Sequence, residues 1–476
     1  MSSFPVKMIA TITASVAVGI GVGLLFGNET TQRVIEERKA EIVGGLADSY
    51  MASNTEANEE GGVKTVSGLH HIEIEVDTFG NNIYRAKGVA NSFLVATSEG
   101  NVIFDAGLAT QGAKQKRLLQ EAAPGELKYI VLSHSHQDHI GATNFWRNEY
   151  PDAKIITHRN FIEGQRYLKD LENYFWGRNR LLYTFMPEHP PEAGSIFAFG
   201  DIVPDITIAD GDEYRFTLGD TEFLVLPTPG AEGEDNIVMW VENEQALFTG
   251  DVFGPLFPMV PNLFTLRGEK FRDPIKYINS LDTMIALKPE LILPSHFDPI
   301  VGEEQLQQDL YAMREVTRYI HDETVAGMNA GKSLWQLMEE IQLPEELGLT
   351  QGHGKVSWNV RSIWENYSTW FHFESTTELY PVPTREVYVD VAELAGGSDK
   401  LLARAGQKLA QQEPVKALHL VEMAEGGSGS TAESEAVRLA ALQQLLENAY
   451  KTGSNFSETG WLKSRIAITE AKLAQQ

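Results

Sequence analysis

Short apolar runs punctuated by turn residues dominate the chain from residue 92 to residue 293. Residues 92–97 (SFLVAT) and 102–105 (VIFD) are divided by the turn Ser98, Glu99, Gly100 and Asn101. Similar runs follow at 129–132 (YIVL), 155–157 (IIT), 223–226 (FLVL), 237–241 (IVMWV), 246–249 (ALFT) and 291–293 (LIL). Runs of this length between turns read as buried strands. Helical patterning separates some of them, at 110–121 and 274–287. Beyond residue 302 the strand signals stop. Residues 303–320, 333–341, 358–371, 398–410, 414–424, 431–450 and 458–473 pattern as helices instead. Ser430 and Glu433 have capping-box spacing at one helix start, and residues 426–429 (GGSG) separate two helices. The pattern predicts an α+β chain, with two packed sheets covered by helices and then an all-α domain of antiparallel helix pairs.

The N-terminal part has another texture. Residues 8–26 run 19 positions without a charge after Lys7, close to the roughly 20 needed to span a bilayer. Residues 1–27 therefore read as a signal or membrane anchor, with no A-x-A-like cleavage site after the apolar run. Arg33, Arg38 and Lys39 outnumber Lys7 on the far side, so the positive-inside count gives no clean orientation. The body is expected in the periplasm or another extracytoplasmic space. Residues 28–62 read as a polar stalk or linker with a short helix. The expected divisions are 1–27, 28–62, 63–302 and 303–476.

A net charge of −27 over 476 residues excludes a phosphate-neutralising surface, so no nucleic-acid partner is expected. The same charge repels an anionic substrate at long range. Recognition of an anion must then be local, through placed arginines and metal ions. The absence of cysteine removes disulfides and thiolate metal sites.

Residues 133–141 read SHSHQDHIG directly after the apolar run at 129–132. In an extended segment His134 and His136, at i and i+2, lie on one side and can reach one metal. Asp138 and His139 then open a helical turn and face a second. Neutral imidazole and carboxylate suit zinc, and two such ions can share a hydroxide near neutral pH. Later runs each end in one possible ligand: Glu232 after Thr228-Pro229-Gly230, Asp251 after Thr249-Gly250, and His296 after Pro294-Ser295. An Asp after Gly is by itself usually a turn. The common position at strand ends, in this order, makes a set of them.

Asp105 (in FDAG), SHSHQDH, TPG, TGD and PSH together resemble the successive markers of the metallo-β-lactamase superfold, an αββα sandwich. Ala231 and Glu232 follow TPG where that superfold usually has His, and this form is similar to the zinc-dependent alkylsulfatase branch. Residues 262–272 (NLFTLRGEKFR) and 356–371 (VSWNVRSIWENYSTWF) are similar to that branch's sulfate-site segment and to the entry of its dimerisation domain. Residues 172–185 (ENYFWGRNRLLYTF) are a weaker match to its substrate-pocket helix. The resemblance covers residues 83 to 473. It implies two zinc ions per chain, with His134, His136 and Glu232 on one, Asp138, His139 and His296 on the other, and Asp251 bridging. It further implies catalytic roles for Asp138, Asp251 and Arg267, and substrate contacts from Asn262, Arg267, Trp358 and Tyr183. Asp105 is expected to orient the metal loop rather than to bind metal.

Two departures from the branch bear on the substrate. Ser357-Trp358-Asn359 stands where the branch reads S-H-N, and an indole donates a hydrogen bond but cannot transfer a proton. His353 and His372 are nearby in sequence, though not at the matching position. The chain also ends before the sterol-carrier-like domain usual in the branch. The reading is hydrolysis of a small anionic sulfate ester by a homodimer with a membrane contact through its N-terminus. The same ligands would also serve a lactonase, a phosphodiesterase or a β-lactamase, and a non-catalytic membrane-tethered dimer is a further alternative.

Overall fold

The computed structural model describes residues 29–53 and 72–475, except 183–185, 193–194, 196–197, 199, 231, 255–256, 264 and 454. The apolar segment 8–26 and Tyr183 thus lie outside the described residues. Among the described residues no helix is long and apolar enough to cross a membrane.

Helix α1 (Glu29–Ser53) is longer than the short helix expected there, and it is docked. It packs along α2 (Ala109–Ala122), burying Ala40. The fully buried ammonium of Lys116 on α2 reaches Glu37 of α1 and Glu149, each at 2.6 Å.

The first sheet runs in chain order: β1 (Val76–Phe79), β2 (Ile83–Ala86), β3 (Ser92–Thr97), β4 (Gly100–Phe104), β5 (Leu127–Val131), β6 (Lys154–His158) and β7 (Ile206–Ile208). Short connections make β1 to β4 antiparallel. From β4 onwards helices intervene and the pairing turns parallel, as crossovers require. These helices are α2, then α3 (Gln137–Ile140) and α4 (Thr143–Glu149), then α5 (Phe161–Asp170) and α6 (Glu172–Asn179). The second sheet holds β8 (Tyr214–Leu218), β9 (Thr221–Pro227), β10 (Ile237–Val241), β11 (Ala246–Gly250), β12 (Leu291–Pro294) and β13 (Ile300–Val301). Helix α7 (Pro274–Leu287) crosses between the parallel strands β11 and β12. It starts where Asp273 caps the amides of Ile275 and Lys276 with Pro274 at the first turn.

Strand periodicity divides the apolar residues between layers. Phe93, Val95, Val102 and Phe104 meet Phe223, Val225, Ile237, Met239 and Phe248 between the sheets. Their neighbours Leu94 and Ile103 pack under α2, while Leu224, Val238 and Trp240 pack under α7. Every second residue thus faces a helix, which explains why the strands read as continuous apolar runs. The αββα layering expected from the sequence is present.

The remainder is helical: α8 (Glu303–Asn329), α9 (Leu334–Glu340), α10 (Val356–Ser368), α11 (Tyr388–Leu394), α12 (Ser398–Ala410), α13 (Pro414–Ser428), α14 (Ala432–Lys451) and α15 (Phe456–Leu473). Helix α10 stops before residue 371 because Thr369 turns to φ 66°. The capping box of α14 is also displaced from the expected pair. Thr431 and Ser434 form it, and the Ser430 hydroxyl donates to Glu435 instead.

Candidate metal centre

The carboxyl ends of strands in both sheets meet at one edge, and there the predicted ligands converge. Residues 133–136 leave β5 extended, and His136 caps α3, which carries Asp138 and His139 in its single turn. Asp251 follows β11 and His296 follows β12. Gly250 permits the close approach at φ 58°, since a Cβ there would lie 2.5 Å from the Ser133 side chain.

Two groups form, and Asp251, expected to bridge them, falls in one of the two. Asp138, His139, Asp251 and His296 make one, and His134, His136 and Glu232 make the other. In the first, His296 Nε2 lies 3.0 Å from Asp251 Oδ2 and 3.4 Å from Asp138 Oδ2. His139 Nε2 lies 3.4 Å from a carboxylate oxygen of each aspartate. In the second, His134 Nε2 is 2.8 Å from His136 Nδ1, which is 3.3 Å from Glu232 Oε1. The His134 and His139 rings are 4.2 Å apart, so the groups adjoin.

Each imidazole is held from behind by its other nitrogen. His139 Nδ1 meets Asp105 Oδ2 at 2.9 Å, and His134 Nδ1 meets Ser133 Oγ at 2.9 Å. His296 Nδ1 meets the Val89 carbonyl at 2.6 Å, and His136 Nε2 meets Glu269 Oε2 at 3.3 Å. Backing of this kind fixes tautomer and ring angle in metal sites. Asp105 also accepts from the Ser133 amide and the hydroxyls of Ser133 and Ser295. It orients the loop, as its place in the sequence predicts.

The residues fit a bound metal. Within the first group the buried atoms His139 Nε2 and Asp251 Oδ1 make no hydrogen bond. Burial would lift the Asp251 carboxyl, but the imidazoles of His296 and His139 hold it well below the usual range. Asp138 behaves alike: burial opposes its charge, and His139 and His296 restore it. Burial, with His139 and His136 beside it, pushes His134 well below an ordinary histidine, leaving it neutral and ready to coordinate.

Around Glu232 the surroundings are cationic. Arg267 and Arg272 each donate Nη2 to Glu232 Oε1 at 2.8 Å. Arg267 Nε reaches Glu269 at 2.7 Å, and Arg272 Nη1 reaches the Asn262 carbonyl at 2.7 Å. Burial opposes charge on Glu269, but Arg267 and His136 hold its carboxyl below the ordinary range. A cavity of about 260 Å³ opens beside this group, lined by His136, Glu232, Glu269, Arg272 and Tyr167. Asn262 is buried, and its loop is fastened to α10. Asn359 accepts from the Leu263 amide and donates to the Pro261 carbonyl, while Ser362 donates to the Leu263 carbonyl.

Trp358 is half-buried, with the Lys355 ammonium 5.4 Å over its ring. His353, five residues earlier, is buried 3.1 Å from the Asn262 amide nitrogen. Glu269 and Arg272 lie inside a segment the sequence singles out, yet no role for either follows from spacing. Only their contacts with His136 and Glu232 show what they do.

This arrangement of layers and ligands defines a class, the metallo-β-lactamase superfold. Residues 85–296 match the metallo-beta-lactamase superfamily, and residues 334–457 match alkyl sulfatase dimerisation. With both regions in one chain, the protein carries the pair of domain matches by which it resembles the alkylsulfatase branch of that superfold. A linear primary-alkylsulfatase of a Pseudomonas species is 28% identical over 66% of this chain and 62% of its own length. An alkyl/aryl-sulfatase of Saccharomyces cerevisiae is 24% identical over 68% of this chain and 53% of its own. The chain therefore spans a little over half of these relatives. The solved structure of a stereoselective inverting sec-alkylsulfatase from Pseudomonas sp. has the same fold, with a TM-score of 0.71 at 19% identity over 85% of this chain and 66% of that one.

Proposed function

We propose that the chain hydrolyses sulfate esters with two zinc ions, one in each ligand group. The observation that carries this reading is the pair of guanidinium groups, Arg267 and Arg272, gathered at Glu232 beside the ligands. Zinc bound there would supply a nucleophile from water at neutral pH and would polarise the ester. The chain's own residues do the rest. Asp105, Ser133, Val89 and Glu269 hold the four imidazoles in register. Arg267 and Asn262 bind the sulfuryl oxygens, a guanidinium fork being well matched to an oxyanion. Trp358 offers no proton to the departing oxygen, so aryl esters with good leaving groups are the expected better substrates.

The test measures zinc per chain and turnover of p-nitrophenyl sulfate, dodecyl sulfate, a lactone and bis-p-nitrophenyl phosphate. About two zinc ions with sulfatase activity that Arg267→Ala removes is the expected result. If Arg267→Ala keeps full activity on the best substrate, the site serves another hydrolysis.

Self-association is the second part of the reading. Trp370, Phe373, Tyr380, Val382 and Leu394 are exposed within the stretch that matches alkyl sulfatase dimerisation. A second copy of the chain would cover them. Sedimentation at micromolar concentration should show a dimer, and a monomer there would refute the assignment.

A further inference from the structure

The loop 351–355 brings a buried histidine next to Asn262, and the last helix holds that loop. The His353 ring stacks on Phe456 at the start of α15, centroids 4.9 Å apart and 10° from parallel. Asn455 Nδ2 donates to the carbonyls of Gln351 and His353 at 2.9 and 2.8 Å, and the Phe456 amide donates to the Gly352 carbonyl at 3.0 Å. Lys355 closes the contact with an ion pair to Glu458 at 2.7 Å. His353 is thus fixed from the end of the helical region, about 100 residues further along the chain.

On its other side His353 Nε2 faces Asn262 Nδ2 at 3.1 Å. In that arrangement the buried atoms Asn262 Oδ1 and His353 Nδ1 both lack a hydrogen-bond partner. An unpaired buried acceptor is costly, and a carbonyl oxygen is the wrong group to offer an anion. Turning the amide over gives Oδ1 a partner and removes the carbonyl from the unpaired position, while His353 Nδ1 stays unpaired. A proton on Nε2 then donates to Oδ1, and the Asn262 NH2 group takes the buried position that Oδ1 leaves, as a free donor. Burial, with Arg272 and Arg267 nearby, pushes the His353 imidazole well below its ordinary range, so the ring is neutral. It can orient a neighbour but holds no spare proton to give a leaving group.

We propose that His353, braced by Asn455 and Phe456, is a positioning residue that turns the Asn262 amide so that its NH2 group faces a bound sulfuryl oxygen. The helical region would then complete the anion subsite of the strand-rich half. This rests on the proposed role of Asn262 in holding sulfate.

The zinc-loaded full chain is compared with Asn262→Ala, His353→Ala, the double variant, His353→Gln, His353→Asn and Phe456→Ala. Inorganic sulfate affinity by calorimetry is one readout, and kcat and KM on the sulfate ester the wild type turns over is the other. Loss of one buried hydrogen-bond partner predicts about tenfold to a hundredfold weaker sulfate binding in either single Ala variant. The double variant should be no worse than the worse single one, because the two residues act through one hydrogen bond. Glutamine, whose amide reaches the place of Nε2, should restore binding to within about threefold, and the shorter asparagine should not. Phe456→Ala should weaken sulfate binding while zinc content stays unchanged. Losses in His353→Ala and Asn262→Ala that multiply overturn the proposal, as does full sulfate affinity in His353→Ala. If Asn262→Ala itself binds sulfate normally, the anion subsite has been misplaced, and the error lies in the functional reading. A change in the shape of the kcat–pH profile in His353→Gln would mark proton transfer, against the neutral role assigned.

Discussion

The two ligand groups are built on different foundations. Behind Asp138, His139, Asp251 and His296 stand strand ends: Asp105 after β4, Ser295 after β12, and the Val89 carbonyl ahead of β3. His134 rests on Ser133 after β5, but behind His136 and Glu232 stands the irregular segment 262–272, which sends in Arg267, Glu269 and Arg272. That segment is held by α10 through Asn359 and Ser362, so its position depends on the helical half. The first group is therefore a property of the sandwich. The second leans also on the junction of sandwich and helices.

Substitutions behind each group should show that contrast. The largest effect is expected from Asp105→Ala, which strands the Ser133 amide, two hydroxyls and His139 in the interior. Breaking a buried, partnered carboxylate costs about 3–5 kcal/mol, so chemical denaturation should find the sandwich strongly destabilised and zinc lost from both groups. A stable Asp105→Ala protein with both metals would break the comparison. Glu269→Gln comes next. Removing a carboxylate behind a ligating histidine weakens metal binding about tenfold to a hundredfold, and chelator titration should release the His134, His136 and Glu232 metal first. Equal weakening of both sites would mean that the groups are not separately supported. Ser295→Ala is the smallest, since Asp105 keeps its other three partners. A loss of about 1 kcal/mol in unfolding free energy is expected, with both metals retained.

The strands between the sheets were legible because both of their faces are covered, so each appears as an unbroken apolar run. Strands β1 (VDTF) and β8 (YRFTL) escaped notice because exposed and charged residues interrupt them. Helix α1 reads as polar because it is held to α2 largely by ion pairs such as Arg117 with Glu41, which leave little apolar periodicity. In the site, the seven candidate ligands could be named because they lie in loops after apolar runs and their motifs resemble those of the superfold. His353 could be named beside Trp358, but its contacts with Asn262 and Phe456, both remote in sequence, could not be read. Trp358 occupies a position that resembles a functional one, yet its ring lies beneath Lys355.

Helix α8 changes cores along its length. Leu306, Leu310 and Met313 belong to the layer under the second sheet, while Val316 and Ile320 belong to the cluster with α9 and α10. A single rod of 27 residues seated in two apolar clusters cannot leave one without loosening the other. The two halves are therefore coupled in unfolding as one cooperative block rather than strung together by a tether.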